Sequence, residues 1–247
     1  MPLRARVITP VFLPMPQAVR AAIFDLDGTL ADSAPDIAAA LNRALRASGH
    51  AVLPVADVVA MVGHGAQRLC ERALSASGVG ADSAATERLL ADFLAAYAAA
   101  PCVETRLYPG ALETLQALRA DGWRLAVCTN KPQALADPIV AALGIAPCFD
   151  AVVGGRAGLA LKPAPDMLRV AIVEAGAQAG IKTAMRAVMI GDSAADCSAG
   201  QAAGVPVVLL AHGYSSAPVA SLGADAMLDG FAGLTAALDS VLPLQTA

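Results

Sequence analysis

Lysine is scarce in this chain: among 247 residues only Lys131, Lys162 and Lys182 occur. Aromatic residues make up 4% and charged residues 15%, so the core must be built mainly of Ala, Val, Leu and Ile. The net charge is −4 and no basic cluster appears, which argues against a nucleic-acid partner. The chain is 57% hydrophobic. Yet no stretch free of charge and proline reaches the roughly 18 apolar residues of a membrane helix, so no membrane association is expected. No C-x-x-C pair occurs among Cys70, Cys102, Cys128, Cys148 and Cys197. Their odd number and wide spacing fit buried, reduced thiols in a cytoplasmic protein. A secretory leader is not expected either: two prolines interrupt the apolar run Val7–Met15, and no small-residue cleavage site follows. Residues 1–14 read as an N-terminal arm, disordered or not native to the protein, with Met15 as an alternative start.

What is present is a change of pattern along the chain. Residues 21–25 read as a short buried strand. Helical spacing follows over 36–48, with Ile37, Leu41, Ala44 and Leu45 on one face, and recurs near 55–62, 65–76 and 84–99. No strand signal interrupts residues 33–104. From Leu107 onward, strands and helices alternate. Strands are expected at 123–128, 151–153, 187–190, 205–210 and 226–228, with helices at 111–121, 133–143, 165–176, 194–203 and 231–241. Gly144 stands as a helix stop. Such alternation predicts an α/β fold: a doubly wound parallel sheet, Rossmann-like, with an inserted all-helical cap domain. The core would comprise 15–32 and 105–247, and the cap 33–104.

The chemistry gathers where strands end. The stretch "FDLDGTL" puts Asp25 at the end of the first strand and Asp27 just past it. Taken alone, D-x-D-G is equally well a strand running into a turn. In open parallel sheets, however, ligands bind beyond the carboxyl ends of the strands. Thr129 and Asn130 follow the second strand, Lys162 lies beyond the third, and Asp192 and Asp196 follow the fourth. Carboxylates converging from separate loops suit Mg²⁺. A hydroxyl, an amide and an ammonium suit phosphate oxygens. Together they point to phosphoryl transfer, in which positioning and charge neutralisation carry most of the catalysis.

The ordered set "DLDGTL", "TN", Lys162 and "GDSAAD" resembles the haloacid dehalogenase superfamily of phosphotransferases, from about Val19 onward. "CTNKPQALADPIVAALGI", "LKPAPDML" and "GADAMLDGFAGL" resemble its bacterial phosphoglycolate phosphatase branch. The resemblance implies roles. Asp25 would be the nucleophile and Asp27 the general acid and base. Mg²⁺ would be held by the carboxylates of Asp25 and Asp192 and the backbone carbonyl of Asp27. Asp196 would orient Lys162 or a metal-bound water. Thr129 and Asn130 would bind phosphoryl oxygens, Lys162 would offset charge, and Gly28 would let the loop bring N–H groups to the phosphate. The substrate would be a small phosphorylated metabolite, and the protein a monomer or homodimer.

Some branches of that superfamily fit poorly. Its dehalogenases lack the second acid, which Asp27 supplies here. Its phosphonate-cleaving members need a cap lysine, and residues 33–104 contain none. Its sugar-phosphate mutases usually carry Ser-rich chemistry after the second strand. The expected reaction is Mg²⁺-dependent hydrolysis of 2-phosphoglycolate. Alternatives are another small ester such as N-acetylmuramate 6-phosphate, pyrophosphate, isomerisation of the β-phosphoglucomutase kind, or a non-catalytic binding protein. Specificity would lie in the cap, with His64, Gln67 and Arg68 as candidate contacts. His64 stands where Asn is expected and Arg156 where the branch commonly has an acid. His50 and His212 read as surface residues, Tyr97 and Trp123 as packing.

Overall fold

A computed structural model of the chain describes residues 18–78, 82–178, 180 and 185–243. The arm expected over 1–14 lies outside them. The chain enters through β1 (Arg20–Phe24), a short β2 (Ala31–Asp32) and four helices: α1 (Ala34–Ala47), α2 (Val55–Val59), α3 (Ala66–Ala76) and α4 (Ser83–Ala99). It returns through β3 (Arg106–Leu107) to α5 (Ala111–Ala120), β4 (Arg124–Pro132), α6 (Gln133–Ala142), β5 (Ala151–Gly155) and α7 (Asp166–Gln178). The remainder is β6 (Arg186–Gly191), α8 (Ala194–Ala203), β7 (Val207–Leu210), β8 (Ala226–Leu228) and α9 (Leu234–Val241).

The main sheet has the order β5-β4-β1-β6-β7-β8 and every pairing in it is parallel, as expected. The chain builds outward from β1 to β4 and β5, then crosses back to β6 on the other side of β1. That reversal makes a topological switch point, where the crevice at the strands' carboxyl ends opens. Side chains alternate between the faces. Ala22, Phe24, Val127 and Ile190 pack with α1, α5, α6 and α9, whereas Ala21, Ile23, Cys128 and Met189 pack with α7 and α8. Both faces are covered, which is why the strands read as continuous apolar runs. Trp123 is buried under the Arg20 guanidinium, 4.2 Å from its ring centroid. No helix among the described residues is long and apolar enough to cross a membrane.

Three differences from the expected elements bear on the site. First, β2 and β3 form an antiparallel two-stranded ribbon at the root of the helical insert, with Ala31 opposite Leu107 and Asp32 opposite Arg106. Two residues per strand are too few to leave an alternating pattern. Second, β4 does not stop at Cys128. It runs to Pro132 with an irregular register after Cys128, so Thr129, Asn130 and Lys131 belong to the strand's frayed end. Third, His212 is not a free surface residue. Its ring lies 3.9 Å from Tyr108 and 5.7 Å from Phe231, and its Nε2 is 3.1 Å from the Thr29 carbonyl.

The root of the insert is clamped by Asp36 in the first turn of α1. Its buried carboxylate accepts N–H bonds from Val103, Glu104 and Thr105, and a 2.6 Å bond from the Thr105 hydroxyl. Burial alone would raise its pKa. The bonds from Thr105, Glu104 and Val103 outweigh burial and hold the carboxyl below its usual value.

Candidate active site

Asp25 continues β1 past its last residue: its N–H donates to the Ile190 carbonyl of β6 at 2.9 Å. Its Oδ1 accepts from the Leu26 N–H at 2.7 Å and lies 3.0 Å from Lys162 Nζ. Oδ2 has neither bond. Leu26 turns back into the core and is fully buried, so the alternation separates the two acids as expected. Asp27 faces the crevice. Its Oδ1 accepts from the Ser33 hydroxyl at 2.5 Å and pairs with Lys131 Nζ at 3.1 Å.

Lys162 is buried with its three donors committed. Nζ meets the Cys128 carbonyl at 2.7 Å, Asp196 Oδ1 at 2.7 Å and Asp25 Oδ1 at 3.0 Å. Burial opposes its charge, but Asp196 and Asp25 outweigh burial and raise its pKa, so it stays an ammonium ion. Asp196 reaches it from the first turn of α8, where it also closes a capping box with Ser193. Its Oδ2 accepts from the N–H groups of Asp192 and Ser193 and from the Ser193 hydroxyl. One side chain thus fixes the helix start and the lysine.

Asp192 ends β6. Its Oδ1 accepts from the Thr29 hydroxyl at 2.7 Å and its Oδ2 from the Tyr214 N–H at 2.8 Å. Two glycines leave room for it. A Cβ on Gly28, which has φ +84°, would lie 2.6 Å from Asp192 Oδ2, and one on Gly213 would lie 2.4 Å from it. The Gly28 N–H itself donates to the Ala31 carbonyl at 2.9 Å. That N–H is therefore engaged within the loop, and the missing side chain gives Asp192 its clearance.

Asp25, Asp192 and Asp196 each present an oxygen within 4.8 Å of one another. Burial pushes the Asp25 carboxyl up to about 7. Lys162 pulls it down, while Asp196 and Asp27 repel its charge. Asp192 is held well above the usual range, first by burial and then by the charges of Asp196 and Asp25. Two buried carboxylates raised in this way fit a divalent cation, whose charge would reverse both effects. Asp196 is saturated, Oδ1 by the Lys162 ammonium and Oδ2 by three donors, whereas each Asp192 oxygen accepts one neutral donor and Asp25 Oδ2 none, so Asp25 and Asp192 are the better placed to hold a metal.

Thr129 lines the crevice, and its Oγ1 accepts from the Lys131 N–H at 3.2 Å, leaving its hydroxyl hydrogen to donate. Asn130 is placed as expected, but its amide is engaged. Nδ2 donates to the carbonyls of Gly63 and Lys162, and Oδ1 accepts from the Lys162 N–H. It fastens the helical insert and the Lys162 loop to β4.

The crevice closes to a cavity of about 50 Å³ between Asp25, Asp27, Thr129, Asn130 and Lys131 on the sheet side and α1, α3 and α4 on the other. The insert contributes mainly apolar groups, including Ile37, Val62, Leu69 and Phe93, together with Tyr97. His64, Gln67 and Arg68 are not among the lining residues. They border a separate outer groove, where Gln67 and Arg68 both engage Glu71. The reason is helical geometry: α3 buries Leu69, Cys70, Ala73 and Leu74, which turns Gln67 and Arg68 outward. Arg156 is also elsewhere, paired with Glu174 at 2.6 Å on the surface.

Three further residues contribute to the site. Lys131 is buried, 3.1 Å from Asp27 and 2.7 Å from the Tyr97 hydroxyl. Its scarcity as a residue type, and its place directly after Asn130, were the available signal. Tyr97 is more than packing, since its hydroxyl meets that lysine. Tyr214 donates from its hydroxyl to Asp32 at 2.6 Å and accepts the N–H groups of Ser33 and Ala34, tying the start of α1 to the Asp192 loop. No periodicity reveals such a long-range bond.

Comparison with known proteins agrees with this geometry. The sequence model of the haloacid dehalogenase-like hydrolases matches residues 19–204. A phosphoglycolate phosphatase of Rhodospirillum rubrum is 47% identical over 224 residues, covering 89% of this chain and 90% of that protein. A crystal structure described as a predicted phosphoglycolate phosphatase from Haemophilus somnus superimposes with a TM-score of 0.77 at 32% identity, covering 89% and 97% of the two chains. CbbY from Rhodobacter sphaeroides, solved in complex with phosphate, gives a TM-score of 0.69 at 26% identity, covering 87% and 96%. With two acids flanking a strand end, a buried lysine and a paired acidic loop in place, the chain belongs to the haloacid dehalogenase-like hydrolases.

Proposed function

We propose that this chain is a Mg²⁺-dependent phosphomonoester hydrolase that works through a phosphoryl-aspartate on Asp25, with 2-phosphoglycolate as its preferred substrate. The observation that carries the reading is the orientation of Asp25. Oδ1 is tied to Leu26 and Lys162, and Oδ2 is left for attack beside Asp27. The similarity to the R. rubrum phosphoglycolate phosphatase supports the choice of substrate.

In the first half-reaction Asp25 Oδ2 bonds to phosphorus and the ester P–O bond breaks. Asp27 gives its proton to the leaving oxygen. In the second, Asp27 takes a proton from water as that water attacks phosphorus, which releases inorganic phosphate and restores the Asp25 carboxylate. Ser33 and Lys131 hold Asp27 Oδ1, leaving Oδ2 to carry the proton. Thr129 donates to a phosphoryl oxygen, and the Asn130 amide keeps β4, the Lys162 loop and the insert in register. Lys162 acts through Asp25, fixing its direction and offsetting its charge. The carboxylates of Asp25 and Asp192 and the Asp27 carbonyl would hold Mg²⁺, which when bound would supply charge neutralisation at the phosphoryl group. Helices α1–α4 serve as a lid whose apolar wall excludes water.

The test is phosphate release, with Mg²⁺ and with EDTA. The substrates are 2-phosphoglycolate, sugar phosphates, N-acetylmuramate 6-phosphate, pyrophosphate and β-glucose 1-phosphate. The expected outcome is the highest kcat/KM for 2-phosphoglycolate, lost with EDTA. Preference for another ester would move the substrate assignment and keep the chemistry. No release from any ester would overturn both.

A further inference from the structure

Lys131 does more than hold Asp27 Oδ1. Lys131 is the only positively charged side chain lining the cavity among the described residues. Its side chain is 3% exposed, so its charge is nearly cut off from water. Two of its three donors are assigned, one to Asp27 Oδ1 at 3.1 Å and one to the Tyr97 hydroxyl at 2.7 Å. The third has no hydrogen-bond partner among the described residues. A buried ammonium with an unused donor favours a further acceptor, and an anionic one most of all.

Its position says which part of a substrate would supply that acceptor. The phosphoryl group belongs at Asp25, where Lys162 and the carboxylates lie. Lys131 instead pairs with Asp27, the residue that would meet the leaving oxygen, and with Tyr97 of α4 in the insert. The polar lining groups all lie on the sheet side apart from Tyr97; the wall that the insert adds, with Ile37, Val62, Leu69 and Phe93, is otherwise apolar and offers little to a sugar's hydroxyls. Lys131 and Tyr97 form a small cationic, hydrogen-bonding spot in an apolar chamber, next to the leaving oxygen.

We propose that Lys131, assisted by the Tyr97 hydroxyl, is a specificity-determining residue that binds an anionic group on the leaving group, so that the enzyme selects short phosphate esters bearing a carboxylate close to the ester oxygen. The inference deepens the 2-phosphoglycolate reading and rests on it. It also explains why the insert needs no cation of its own in the cavity: the sheet supplies the charge, and the insert supplies the hydroxyl and the apolar walls.

The experiment compares 2-phosphoglycolate with its neutral isostere 2-phosphoglycolamide, in the wild type and in Lys131→Met and Tyr97→Phe. The readout is the ratio of the two kcat/KM values, because any disturbance of Asp27 lowers both and cancels. Loss of a charge-assisted hydrogen bond predicts a wild-type ratio of about 10 to 100 in favour of the carboxylate. That ratio should fall close to one in Lys131→Met and by several-fold in Tyr97→Phe. A wild-type ratio near one, or a ratio that survives Lys131→Met, would overturn the proposal while leaving phosphoglycolate hydrolysis intact. No hydrolysis of 2-phosphoglycolate by the wild type would instead overturn the functional reading beneath it. Should Lys131→Met fail to fold, the wild-type and Tyr97→Phe ratios decide: a carboxylate preference unchanged in Tyr97→Phe would count against the pair.

Discussion

The two walls of the cavity are built on different plans. The sheet wall takes its polar groups from strand ends, where Asp25, Thr129 and Asp192 are held by the pairings of β4, β1 and β6. Its charged side chains are bonded to one another, from buried Lys162 with Asp25 and Asp196 to buried Lys131 with half-buried Asp27. The helical wall is apolar inside and polar outside, with Tyr97 as its one ionisable lining residue. The comparison teaches a division of labour. Chemistry is fixed by the rigid element, and selectivity comes from shape plus one shared contact, Lys131 with Tyr97.

The comparison can be broken most forcefully on the sheet side. Asp25→Asn should lower kcat by about 10⁴-fold or more while the protein remains folded, since the amide keeps the shape but is a poor nucleophile. Residual activity within tenfold of wild type would remove Asp25 from the reaction. Next in size, Lys162→Met should cost about 3–5 kcal/mol of stability, because it strands Asp25 and Asp196 in a buried site. It should also lower kcat by about 10²-fold or more. Urea unfolding and steady-state kinetics would check the two parts separately.

At the junction between the walls, Asp36→Asn should destabilise the protein at pH 7 by about 1.5–3 kcal/mol, the worth of hydrogen bonds to a charged group. The sign with pH follows from its lowered pKa. The stabilisation from Asp36 is complete above the unfolded value of 3.8 and fades as pH falls through the lower folded value. The gap between wild type and variant in urea unfolding should therefore narrow below about pH 3.8; a constant gap would mean that charge is not what Asp36 contributes. On the outer face of the insert, alanine at His64, Gln67 and Arg68 together should change kcat/KM by less than about threefold, in keeping with surface substitutions away from the site. A tenfold loss would show that the segment 64–68 turns inward during turnover.

The same division governs what the sequence revealed. Asp25, Asp27, Thr129, Lys162 and Asp192 were legible because each is tied to a strand end, and strand ends follow from apolar runs and turn residues. The parallel pairing of the sheet follows from the alternation of strands and helices, whereas the order of its strands around β1 does not. Asn130 was found, but its engagement by the carbonyls of Gly63 and Lys162 was not, because those partners are 67 and 32 residues away. His64 lies in a cap loop before α3, and Gln67 and Arg68 stand in the helix's first turn, where only the three-dimensional phase of α3 turns the latter two outward. Tyr97 looked like packing because helical periodicity reports burial and says nothing about where a hydroxyl points. The β2–β3 ribbon was too short to be seen.

The most direct test of the account is to mix the enzyme with Mg²⁺ and 2-phosphoglycolate, quench in acid within the first turnover, and map the peptides by mass spectrometry. The account predicts one added phosphoryl group on the peptide containing Asp25, absent from Asp25→Asn. Turnover with no phosphorylated peptide, or with the phosphoryl group on another residue, would contradict it.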